Sequence, residues 1–60
     1  MLKDERLKKG ISRKELAQKS GVSERMIAYY ETGYKDIKKA SVGSVMSLAK
    51  VLDVGVEKLI

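Results

Sequence analysis

The 60-residue sequence predicts an all-α domain, and three observations carry that expectation. Proline is absent, so glycine and small polar residues punctuate the chain and cut it into five short helical pieces. Ser12 stands three residues before Glu15, an S-x-x-E capping box in which hydroxyl and carboxylate each satisfy an exposed backbone N–H at a helix start. Val42, Val45, Met46, Ala49 and Leu52 follow the i, i+3, i+4, i+7 period of one buried helix face, with Leu48 beside them. No alternating strand pattern competes.

The first piece, about Leu2 to Lys9, ends at Gly10, and the lysines before that glycine suit the negative end of a helix. Its apolar side is thin, Leu2 and Leu7. The second opens at the Ser12 box, runs through Leu16 and Ala17 to Ser20, and stops at Gly21, where the chain can reverse. Ser23 then caps a third helix only about three residues later. At 100° per residue, Ile27 and Tyr30 share one side of it with Val22 leading in. Arg25, Ala28, Tyr29 and Thr32 face away, with Glu24 and Met26 on the borders. The helix ends at Thr32-Gly33, and residues 34–40 show no full period and are expected to form a loop anchored by Ile37. Ser41 caps the fourth helix. After Asp53 a last turn holds Val54, Val56, Leu59 and Ile60, which close the core and offer part of a dimer seam.

Composition narrows the function classes. Hydrophobic residues make up 43% and charged residues 35%, spread through the chain, which favours a folded domain over disorder. The whole chain, residues 1–60, reads as one domain, with a core limited to burying about 60% of the unfolded surface. No cysteine or histidine is present, nor paired carboxylates or a glycine-rich phosphate loop, so no catalytic residue, metal or cofactor site is expected. No apolar run is long enough to span a bilayer, and a cytoplasmic protein without a membrane or small-molecule partner is expected. The net charge of +5 favours a polyanion. It is also lopsided: residues 1–20 carry seven bases against three acids, whereas residues 41–60 balance Lys50 and Lys58 against Asp53 and Glu57.

Two short helices joined by a tight turn need a small side chain where they touch, and Ala17 lies four residues before Gly21. With Leu16, Val22, Ile27 and Tyr30 in register around that pair, the stretch I-S-R-K-E-L-A-Q-K-S-G-V-S-E-R-M-I-A-Y-Y-E-T-G (residues 11–33) resembles the phage repressor and Cro-like helix-turn-helix family, the xenobiotic-response-element type of transcriptional regulators. The flanking L-K-D-E-R-L-K-K-G and S-L-A-K-V-L-D-V-G-V-E-K-L-I extend the similarity to nearly the whole chain.

The resemblance implies a lambda-repressor-like five-helix domain whose second helix lies across the DNA backbone and whose third enters the major groove. On that mapping Glu24, Arg25, Ala28 and Tyr29 read bases. Arg25 is suited to fork onto guanine, Glu24 to accept from cytosine or pair with Arg25, Ala28 to press on a thymine methyl, and Tyr29 to bond a base edge or a phosphate. Phosphate contacts are assigned to Arg13, Lys14 and Ser23, and beyond the third helix to Thr32, Gly33, Lys35, Lys38 and Lys39. Arg6 and Glu31 pair to tie the first helix to the end of the third, and Ala17 and Gly21 build the turn. Arg13 stands where the family commonly has glutamine, and Ala40 where it commonly has proline. The implied function is repression of transcription by a homodimer on double-stranded operator DNA. The rival class is an antitoxin or adaptor that uses the same fold for protein contacts.

Overall fold

A computed structural model describes residues 1–60 as four α-helices without strands: α1 (Leu2–Lys9), α2 (Arg13–Ser20), α3 (Glu24–Thr32) and α4 (Val42–Leu52). Two single 3₁₀ turns complete it, Ile37–Lys39 and Val56–Lys58. The five helical pieces therefore reduce to four α-helices. Between the extended Gly55 and Leu59 the last piece has length for one turn only, too little to sustain i→i+4 bonding. The segment expected to be a loop holds a turn of its own, because the Asp36 carboxylate accepts from the Lys38 N–H at 3.0 Å and starts it.

The serines act as helix starts. Ser12, Ser23 and Ser41 have extended backbone, and each hydroxyl oxygen accepts from the N–H three residues on, all at 3.1 Å. Only half of the capping box at Ser12 forms. The Glu15 carboxylate turns outward to Lys19 Nζ at 2.9 Å rather than back to the Ser12 N–H, since the i, i+4 lysine offers it a charge.

Nine apolar side chains make the core. Leu16, Ile27, Leu48 and Leu59 are fully buried, one each from α2, α3, α4 and the chain end. Helix α2 packs against both α3 and α4. Two faces differ from the sequence expectation. In α1, Leu7 is exposed and Arg6 shares the inner face with Leu2, four residues away. In α4, Val42 and Met46 are exposed and the inner face is Val45, Leu48, Ala49 and Leu52. Both stripes contain positions 45, 49 and 52. The packing of α2 against α4 turns the helix so that Leu48, not Met46, points inward.

Candidate nucleic-acid interface

The turn between α2 and α3 is built from Ala17 to Ser23. Gly21 has φ 79° and its N–H donates to the Ala17 carbonyl at 3.0 Å, ending α2. A Cβ placed on Gly21 would meet nothing within 4 Å, so the requirement for glycine is its left-handed backbone rather than space. The Val22 N–H donates to Ser20 Oγ at 3.1 Å, which fixes the next step of the turn. Ala17, Val22 and Tyr30 are half-buried and pack on the core, and Ile27 lies fully inside it.

With Ile27 inside, the rest of α3 is oriented. Glu24 and Arg25 lie together, exposed, in its first turn, and neither makes a salt bridge. Ala28 and Tyr29 are half-buried on the same helix, and Thr32 and Gly33 are exposed at its end. Ser23 is exposed with its hydroxyl oxygen committed to the Met26 N–H. The Thr32 hydroxyl donates back to the Ala28 carbonyl at 2.9 Å, so its proton is already in use.

Arg6 and Glu31 meet. Arg6 donates through Nε to Glu31 Oε2 at 2.6 Å and through Nη2 to Oε1 at 3.1 Å, while its Nη1 donates to the Ile11 carbonyl at 2.9 Å. A second cation joins them: Arg13 Nε donates to Glu31 Oε1 at 2.8 Å. The Glu31 side chain is fully buried, and these two arginines compensate its charge. Burial alone pushes the Glu31 carboxyl up, but the hydrogen bonds from Arg6 and Arg13 and their charges outweigh it and hold the group below the usual carboxylate range. Its hydrogen bond with Glu31 raises the Arg6 guanidinium, partly offset by burial. No buried polar side-chain atom is left without a partner. The cluster binds α1, α2 and α3 together and leaves the two terminal amino groups of Arg13 without protein partners. Lys14, the next residue, is exposed and forms no salt bridge.

Beyond α3 the chain folds back. The Lys35 N–H donates to the Tyr29 carbonyl at 3.2 Å, Lys35 Nζ lies 5.7 Å from the Tyr29 ring centre, and the Tyr34 ring lies 4.6 Å from it. Lys38 and Lys39 are exposed in the following 3₁₀ turn. Lys35 is thus brought to Tyr29, and Arg13 to Glu31, whereas the ammonium groups of Lys14, Lys38 and Lys39 form no salt bridge. The partnership of Arg13 with Glu31 has no local sequence signal, since 18 residues separate them. Tyr34 did have one: an aromatic residue directly after the helix-ending glycine, where a reversing chain lays it over the last turns.

A further surface lies away from α2 and α3. Lys38 is the one charged residue lining an open groove whose other walls are apolar, among them Ile37, Val42, Met46, Val56 and Ile60. No helix is long and apolar enough to cross a membrane, and no cluster of acidic, histidine or cysteine side chains is placed to hold a metal ion.

Comparison with protein-family models gives a match over residues 2–59 to the family described as Helix-turn-helix. Comparison with curated proteins and with solved structures gives no match.

Proposed function

The chain belongs to the helix-turn-helix family of phage repressor and Cro type, a family of DNA-binding transcription regulators rather than enzymes, and on that premise we propose that residues 1–60 form one domain that binds double-stranded operator DNA in a sequence-specific manner. It acts in the cytoplasm as a homodimer of bacterial or phage type and represses by occupying the operator, with α3 in the major groove. The observation that carries this is the division of α3. Its inner side is locked by Ile27, while Glu24 and Arg25 stand free of salt bridges at the end that leads into a groove. Arg25 reads a base pair bidentately, with Glu24, Ala28 and Tyr29 as its neighbours in readout. Arg13, Lys14, Ser23, Thr32, Gly33, Lys35, Lys38 and Lys39 meet the phosphates on either side, Arg13 through the amino groups that Glu31 leaves free and Thr32 by turning its hydroxyl proton from the Ala28 carbonyl to the phosphate.

One such helix covers only a few base pairs, so a second copy is needed. The apolar groove beside α4 is the proposed seam, because it includes no residue of α2 or α3 and a partner seated there leaves the outward side of α3 uncovered. Selection from random duplexes at two salt concentrations tests binding, sequence and half-site spacing together. Arg25→Ala is expected to lower discrimination at one base pair by roughly 1 to 3 kcal/mol, whereas Lys38→Ala weakens all sequences alike and reduces the salt slope by about 1. Retained sequence preference in Arg25→Ala overturns the assignment of readers. The groove also favours one other reading, an antitoxin or adaptor; tight binding to a protein with little salt dependence, and none to any duplex, is the outcome that selects it.

A further inference from the structure

Tyr34 lies outside α3, one residue past the left-handed Gly33, yet its ring centre is 4.6 Å from that of Tyr29 at a tilt of 42°. The next residue converges on the same ring. The Lys35 main chain is pinned to the Tyr29 carbonyl, and its ammonium lies 5.7 Å from the Tyr29 ring centre, within cation–π range. Lys35 forms no salt bridge that would draw it away. Tyr34 itself is 74% exposed, so its ring adds little to the core. A tyrosine on a helix surface ordinarily moves among rotamers, and ordering it against a base edge costs affinity only for the duplex whose base it reads, since an unrelated duplex leaves the ring unengaged. Two neighbours fixed by one backbone hydrogen bond remove that freedom in advance.

We propose that Tyr34 is a positioning residue for sequence readout: stacked on Tyr29 with Lys35 alongside, it holds the Tyr29 side chain in one orientation, so that discrimination at the base pair facing Tyr29 depends on a residue beyond the recognition helix. This rests on the proposal that α3 enters the major groove. The contact is between ring and ring, so the Tyr34 hydroxyl is dispensable for it. It acts through Tyr29, so it vanishes when Tyr29 is gone.

The test measures affinities of wild type, Tyr34→Ala, Tyr34→Phe, Tyr29→Ala and the Tyr29→Ala/Tyr34→Ala double variant for the selected duplex, its single-base variants and an unrelated duplex, with thermal unfolding of each protein as a control. Tyr34→Ala is expected to unfold within a few degrees of wild type and to lower discrimination at the position read by Tyr29 by about three- to tenfold, the range of an aromatic pair. Affinity for the unrelated duplex stays within about twofold. Tyr34→Phe restores discrimination, and adding Tyr34→Ala to Tyr29→Ala changes nothing further. The proposal is overturned if Tyr34→Ala weakens all duplexes equally, which marks a plain backbone contact, or if its effect survives in the Tyr29→Ala background. Wild type without any sequence preference overturns the DNA-reading function itself. Preference that is intact in Tyr34→Ala overturns this inference alone.

Discussion

Glu31 shows what a single buried charge asks of its neighbours. A carboxylate with no solvent exposure is tolerable because three donor groups from two arginines converge on it, and its removal leaves Arg6 buried without a counter-charge. Glu31→Gln keeps the shape and deletes the charge. It is expected to destabilise the fold at pH 7 by about 3 kcal/mol or more, a fall of roughly 12 °C or more in Tm for a domain of this size. The pH dependence has a definite sign. The folded pKa of Glu31 is depressed, so its contribution is fully present above the unfolded carboxylate value of about 4.3 and is lost as pH falls through the lower folded value. Thermal unfolding of both proteins from pH 7 to pH 2 checks this. The gap between them should close on acidification, and a gap as wide at pH 2 as at pH 7 refutes the charge as its source. The pairing of Arg6 with Glu31 followed from the family resemblance. The third member did not, because residues 13 and 31 meet only once α2 and α3 are folded together.

Helix boundaries were legible because they are set by chemistry within a turn of the chain. Ser12, Ser23 and Ser41 cap where the sequence places them, and Gly10, Gly21 and Gly33 all take the left-handed backbone that ends a helix. The turn at Ile37–Lys39 was less legible, as its start depends on one Asp36 side chain rather than on any period. Rotation about the axis was legible for α3, where Ile27 and Tyr30 leave one choice, and not for α4. There two apolar stripes overlap, and only the position of α2 decides between them. The consequence is measurable. Leu48 has no exposure and Val42 is 74% exposed. Leu48→Ala should cost about 2 to 5 kcal/mol, enough to unfold much of a small domain, while Val42→Ala should change stability by no more than about 0.5 kcal/mol. Urea unfolding of the two variants decides the matter. Equal losses would mean that α4 presents both stripes to the interior.

The molecule as a body is too small for its proposed task alone. Its Cα extents are 25 × 22 × 19 Å, whereas half-sites on one face of a duplex recur about 34 to 36 Å apart. A single copy reaches one of them. Its net charge of +5 draws each copy to the phosphates, but that same charge makes two copies repel, so an apolar seam is needed to hold them side by side. Met46 lines the groove and is 58% exposed, so Met46→Glu places a charge in the proposed seam without disturbing the core. The expected protein unfolds within a few degrees of wild type, sediments as a monomer, binds an isolated half-site normally, and loses the gain in affinity that the full site gives wild type. Salt provides an independent reading of the same event. The slope of log K against log salt is about −0.9 per phosphate neutralised, so a complex with half as many contacts has half the slope. On the full site Met46→Glu should therefore show about half the wild-type slope while keeping the same base preferences. If the variant retains full-site affinity and slope, the two copies meet elsewhere and the groove beside α4 serves another partner.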